Sequence, residues 1–257
     1  MKYGYVFTHE GRKMYSEIEF AKNYFDFLEI TIKNEKRISN ILRLKSILGS
    51  FKILGHLDWR INLSEAEHKE IKKACSYVLL FKKIGAKKIT IHPSSNEKLD
   101  INKVRENNLL ALSKIADFCR QNKMQLLIEN ITTDPFNRAS EIEKLLTKIP
   151  YLGITLDIGH AYKVSKLEVD RFLMLKNKVG HIHLHDVVDN SDHLFFQEEL
   201  KLKKILEKIK NSGYDRTISL ECFNIFKSDK VLELNEEERR SMLVNNLGVV
   251  KSGVSRV

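Results

Sequence analysis

The sequence predicts an α/β protein, a single (β/α)8 TIM barrel spanning residues 1–257. Short apolar runs alternate with longer charged, amphipathic stretches from one end to the other, the pattern of a parallel sheet with crossover helices. Eight such units fit into 257 residues, and a barrel of eight strand–helix units takes about 250. No Gly/Pro/Ser-rich linker interrupts the pattern, so it reads as one domain.

In chain order the strands are read at Tyr3 to Thr8, Phe27 to Ile32, Phe51 to Gly55, Lys88 to Ile91, Gln125 to Ile128, Gly153 to Leu156, Val179 to Leu184 and Thr217 to Leu220. Each is a short apolar run of strand length. The helices between them are read at 14–25, 35–48, 64–84, 101–122, 138–148, 166–176, 197–211 and 236–250. Ser64 opens Ser-Glu-Ala-Glu, which places a cap three residues before a Glu able to reach back to it. Gly85 and Gly213 stand where a left-handed helix cap is wanted before a strand.

Composition narrows the function classes. With 42% hydrophobic and 30% charged residues, eleven Gly and three Pro, the chain is neither collagenous nor disordered. No apolar run approaches the roughly 18 to 20 residues of a membrane helix, and the N-terminus is polar too early for a signal peptide. A cytoplasmic location and no membrane partner are therefore expected. Cys75, Cys119 and Cys222 have no CxxC spacing, so they read as buried thiols rather than as disulfides or a thiolate zinc site. A net charge of +10 suits anionic ligands, sugar phosphates or nucleic acid among them, but the lysines are spread along helical faces such as KKILEKIK.

The strand ends carry the chemistry. His56, His92, Glu129, Asp157, His183 and Glu221 fall at the ends of six of the eight strands, and barrel topology turns such residues toward one mouth. One histidine there is an ordinary buried, hydrogen-bonded residue, but six ionisable groups at one topological position need a common explanation. Buried carboxylates are costly without partners, and a cation supplies one. Imidazoles and carboxylates without thiolate suit Zn²⁺, Mn²⁺ or Co²⁺. His160, three residues after Asp157, and His193, in the loop after the seventh strand, are placed to join from outside. His181, His183 and His185 share a strand face at different depths, so His181 reads as structural and His185, beyond the strand end, as a support behind the metal ligands or a substrate contact. His68 falls on a charged helix and reads as exposed, while His9 has no assigned role.

Six segments, GHLDWRINLS (55–64), TIHPSS (90–95), LLIEN (126–130), GITLDIGHAY (153–162), HIHLHD (181–186) and ISLEC (218–222), resemble the xylose isomerase-like TIM barrels. That superfamily holds sugar and sugar-phosphate isomerases and epimerases and also endonuclease IV, an AP endonuclease. The isomerases imply that Glu129, Asp157, His183 and Glu221 hold one divalent cation. They further imply an enediolate pathway in which Glu129 and Glu221 move the carbon-bound proton on opposite faces and His160 steadies a substrate oxygen. The nuclease implies further metal ligands at His56, His92, His160 and His193. Trp59, three residues after His56, falls where an aromatic residue meets DNA in the nuclease or roofs a sugar.

The chain departs from both patterns. The Asp that the nuclease places two residues before its loop histidine is Ser191 here, with Asp189 and Asp192 as its candidate substitutes, and the intervening loops are short. The substrate-binding Arg of the ketohexose 3-epimerases is Asp189, and Gln197-Glu198-Glu199 replaces a glycine-rich turn. The leading expectation is a divalent-metal-dependent sugar or sugar-phosphate isomerase/epimerase, with an endonuclease IV-like zinc hydrolase acting on DNA second. A metal-binding barrel without turnover is third.

Overall fold

In a computed structural model, residues 1–9, 13–32 and 41–254 are described. The element order is β1 (Lys2–His9), α1 (Lys13–Tyr24), β2 (Phe27–Ile32), α2 (Ile41–Leu48), β3 (Lys52–His56), α3 (His68–Lys83), β4 (Lys88–Ile91), α4 (Ile101–Gln121), β5 (Gln125–Glu129), α5 (Ala139–Lys148) and β6 (Gly153–Asp157). It continues with α6 (Ile158–Val164), α7 (Lys166–Met174), β7 (Val179–Leu184), β8 (Asp186–Val188), β9 (Ser191–Leu194), α8 (Glu199–Asn211), β10 (Thr217–Leu220), β11 (Asn224–Lys227), β12 (Lys230–Glu233) and α9 (Glu236–Val254).

The strands β1 to β7 and β10 close into a parallel barrel in the order β1-β10-β7-β6-β5-β4-β3-β2. This is the predicted (β/α)8 fold, and every predicted strand is present to within about one residue. Parallel strands buried on both faces read as near-continuous apolar runs. β2 is such a run, FLEITI, with all six residues buried. The surrounding helices turn their apolar stripe inward, as α3 does with Ile71, Ala74, Val78 and Phe81.

Caps set the boundaries. Asp100 accepts hydrogen bonds from the Asn102 and Lys103 N–H groups at the start of α4. Gly85 takes φ +98°, and the Gly85 and Ala86 N–H groups return to Lys82 and Phe81 carbonyls, the Schellman closure expected at that glycine. Gly213 sits after α8 with φ +80°.

One local expectation needs correction. Ser64 is not a helix cap: its N–H and hydroxyl both turn back to Asn62 Oδ1, Ala66 takes φ +52°, and α3 begins only at His68. The helix expected over 35–48 is described from Ile41, residues 35–40 lying outside the described residues. A small second sheet in the order β12-β11-β9-β8 is new. It is built on two two-residue turns, Asp189-Asn190 and Ser228-Asp229, in which Asp189, Ser228 and Asp229 have positive φ. It follows β7 and β10, so it stands at the C-terminal end of the barrel beside the strand-end residues.

Candidate metal centre at the barrel mouth

Glu129, Asp157, His183 and Glu221, from β5, β6, β7 and the residue after β10, converge. One ligand atom from each lies within 4.8 Å of those of the other three, and all four residues are buried. His183 Nδ1 is 2.8 Å from Glu221 Oε2, 3.4 Å from Glu129 Oε2 and 4.0 Å from Asp157 Oδ2.

What marks this cluster is what it lacks. His183 Nδ1, Glu221 Oε2, Glu129 Oε1 and His92 Nε2 are buried and have no hydrogen-bond partner among the described residues. The 2.8 Å approach of Nδ1 to Oε2 lacks the angles of a hydrogen bond. Carboxylate oxygens left without a donor in a dry interior are costly and call for shared positive charge. Three carboxylates and one imidazole are a donor set for a borderline or hard divalent cation, so these residues fit one.

Electrostatics point the same way. Burial pushes the Glu129 carboxyl up, but His92, His183 and His56 outweigh it and hold it well below the usual carboxylate range. Asp157 is likewise held down against burial by His160 and His185, and Glu221 by His183. The mouth therefore keeps its carboxylates ionised while buried.

The remaining expected residues divide. His56 gives its Nδ1–H to the Leu57 carbonyl at 2.9 Å, which turns Nε2 to Glu129 Oε2 at 3.1 Å. His92 Nε2 is 3.0 Å from the same oxygen, so His56, His92 and Glu129 form a second group able to hold a cation. His160 gives its Nδ1–H to the Asn130 carbonyl at 3.0 Å, with the same nitrogen 3.5 Å from Asp157 and 3.6 Å from Glu129. His160, His185 and His193 form a third such group. Asp192 is bound to Lys163 at 2.8 Å, and Asp189 forms the turn between β8 and β9 with φ +53°; neither belongs to a metal-capable group among the described residues.

Trp59 lies on the loop after β3 with 63% of its surface exposed. His185 is different, standing behind Asp157 rather than at the rim. The chain leaves β7 at Leu184 and folds back into β8, so the His185 ring is 1% exposed, with Nε2 on Asp157 Oδ1 at 3.0 Å and the His193 N–H on Nδ1 at 3.0 Å. Its ring fills the space over Gly159, where an added Cβ would lie 2.0 Å from it, and this explains the glycine in Asp-Ile-Gly-His. The side chain of His9 lies outside the described residues.

Sequence reading missed three supports. Asp157 also caps α6, its Oδ1 accepting the His160 N–H at 2.7 Å. Asn130, next to Glu129, brackets Asp157 by accepting its N–H at 2.8 Å and donating to its carbonyl at 2.9 Å. Glu29 of β2, wholly buried, takes His183 Nε2. Its signal was a lone carboxylate inside an apolar strand, which is costly unless partnered.

Comparison with known proteins completes the picture. The chain is 30% identical over 161 residues to the uncharacterized protein MJ1311 of Methanocaldococcus jannaschii, covering 58% of this chain and 55% of that one. It is 31% identical over 106 residues to MJ1614 of the same organism, covering 40% and 41%. The chain thus spans about half the length of the curated relatives it matches. Among solved structures, D-psicose 3-epimerase from Clostridium cellulolyticum H10 shares the fold with a TM-score of 0.82 over 100% of both chains at 14% identity. The profile of the xylose isomerase-like TIM barrels matches residues 17–241, and the chain belongs to that family.

Proposed function

We propose that the protein is a divalent-metal-dependent isomerase or epimerase of a sugar or sugar phosphate. The observation that carries this reading is the four-residue cluster of buried ligand atoms at the barrel mouth, in which Glu129, His183 and Glu221 each keep an atom with no hydrogen-bond partner among the described residues. The fold shared with D-psicose 3-epimerase, a protein solved with D-tagatose, supports the substrate class.

Glu129, Asp157, His183 and Glu221 would hold the cation, which supplies a Lewis acid for the carbonyl and neighbouring hydroxyl oxygens of an open-chain sugar. Glu129 and Glu221 come from β5 and the end of β10, separated by β6 and β7 in the barrel order, so each reaches the substrate from its own side. One carboxylate takes the proton from the carbon beside the carbonyl, and the other returns a proton to the opposite face. His160 steadies a substrate oxygen, and Trp59 covers the sugar from the rim.

The groups His56–His92–Glu129 and His160–His185–His193 favour a second reading, an endonuclease IV-like zinc phosphodiesterase on DNA, because a hydrolase of this kind uses more than one metal. One experiment separates the two. Solvent deuterium should enter the carbon next to the carbonyl of a candidate sugar in the presence of Mn²⁺, Co²⁺ or Zn²⁺, and Glu129→Gln or Glu221→Gln should abolish it. Site-specific incision of an abasic duplex by the wild-type protein, with two or three tightly held ions by metal analysis, would make the hydrolase the primary function.

A further inference from the structure

β2 contributes no residue to the mouth cluster, yet it carries the most heavily bonded carboxylate in the barrel interior. Glu29 is fully buried, and its two oxygens meet four side chains from three other strands. His183 Nε2 lies 3.1 Å from both oxygens, and His181 Nε2 is 2.8 Å from Oε2. Ser219 gives its hydroxyl to Oε2 at 2.6 Å and Thr90 gives its own to Oε1 at 3.3 Å. His181 is anchored on its far side by Thr217 Oγ1, 2.8 Å from Nδ1.

An ionised carboxylate only accepts hydrogen bonds, so an imidazole nitrogen facing it must carry the proton. His183 is thereby fixed with hydrogen on Nε2, and its Nδ1 is the atom left for the mouth. That atom is the one without a partner, lying among Glu221, Glu129 and Asp157. The ring is also fixed in orientation: its Nε2–H is shared between the two Glu29 oxygens, and its face stacks on His56 at 5.5 Å and 17°. A carboxylate behind a ligating imidazole sets its tautomer and raises its basicity.

We infer that Glu29 is the positioning residue of the candidate metal centre, dictating that His183 binds the cation through Nδ1. The inference deepens the metal-dependent function proposed above and rests on it. Glu29 lies on the Nε2 side of His183, and Glu221 on its Nδ1 side. Glu29 acts through His183, with Ser219 and Thr90 holding the carboxylate in place.

Glu29→Gln tests this, because a carboxamide can donate to the imidazole as well as accept from it and so releases the tautomer. Zn²⁺ and Mn²⁺ affinities measured by calorimetry on the full chain should fall about 10- to 100-fold in the variant, with the circular dichroism spectrum unchanged. Nitrogen-15 spectra of the wild-type protein give a readout that needs no variant: His183 Nε2 should carry hydrogen with and without Zn²⁺, and Nδ1 should shift on adding it. This arm decides the matter if the variant does not fold. Unaltered affinity in a folded Glu29→Gln, or a shift on Nε2 instead of Nδ1, overturns the role of Glu29 and leaves the metal-dependent function standing. A wild-type protein that binds neither ion overturns both.

Discussion

Two buried clusters of ionisable groups can be compared within this molecule. Between α1 and α9, Glu17 is 1% exposed and accepts hydrogen bonds from the Tyr5 hydroxyl at 2.6 Å, from Arg239 at 2.8 Å and from Arg240 at 2.9 Å. Both of its oxygens face cationic donors, so that cluster is closed. At the mouth, Glu129, Asp157 and Glu221 are also buried, but ligand atoms of Glu129, Glu221, His183 and His92 have no hydrogen-bond partner among the described residues. Buried charge alone therefore does not mark a site. Unsatisfied valence shared by several side chains does, and the first cluster welds the last helix to the first while the second remains able to take a ligand.

The comparison breaks most sharply if the open cluster can be altered without chemical consequence. Glu129→Gln should lower sugar-dependent proton exchange by about 10²- to 10⁴-fold, the range for losing a general acid–base group. Wild-type exchange rates in this variant would show that the cluster is not catalytic.

The closed cluster should behave in the opposite way. Glu17→Ala leaves two buried-facing guanidiniums and the Tyr5 hydroxyl without their carboxylate, and breaking such a pair costs about 3–5 kcal/mol. Urea denaturation should register that loss while metal affinity and exchange rate stay at wild-type values. A drop in metal affinity would mean that the two clusters are coupled and that the contrast between them is false.

Metal and pH sharpen the contrast further. Burial pulls the His56 and His185 imidazoles down, but Glu129 beside the first and Asp157 beside the second push both up to about 9. A folded-state value above the unfolded one, about 6.5, adds stability that is complete below the unfolded value and is lost as pH rises through the folded one. The metal-free protein should therefore become less stable between about pH 6.5 and 9. A bound cation replaces those protons, so Zn²⁺ at about 100 times its Kd should add about 2.7 kcal/mol and flatten the slope. Calorimetric scans at several pH values, with and without metal, check both signs, and identical profiles would sink the idea of a cation at the mouth.

Much of the barrel was legible because a parallel strand buried on both faces is a bare apolar run with a polar residue where it ends. The same logic located Glu129, Asp157, His183 and Glu221 at one rim. It failed where tertiary contact overrides the local pattern. The alternation His181, His183, His185 extends past the end of β7, but the backbone turns at Leu184, so the third histidine is folded under β8 and β9 instead of continuing toward solvent. The small sheet was missed because its short strands, DVV, SDHL, NIFK and KVLE, mix polar and charged residues into what would otherwise be an apolar run, although the Asp-Asn and Ser-Asp pairs at its turns are signals for reversal. Glu29 was missed because its partners lie more than sixty positions away in sequence, on β4, β7 and β10, and only barrel closure brings them to it.

The smallest expected effect concerns the rim, where exposure rather than unsatisfied valence is the clue. Trp59 is the only tryptophan in the chain and presents 63% of its surface to solvent, while its neighbour Asp58 is buried and held by Arg60 at 2.5 Å. A rigid loop that leaves a large aromatic face in water is suited to stacking on a sugar ring, a contact made alike in the ground and transition states. Trp59→Ala should then raise KM several-fold with kcat nearly unchanged, the signature of lost uniform binding. Stability should shift by no more than about 0.5 kcal/mol, as for other exposed positions. Because no other indole contributes, the intrinsic fluorescence of the wild-type protein should respond to a saturating sugar ligand and report its affinity directly. A variant with reduced kcat and unchanged KM would move Trp59 out of the rim and into the reacting centre, and an unresponsive fluorescence signal would place the sugar elsewhere.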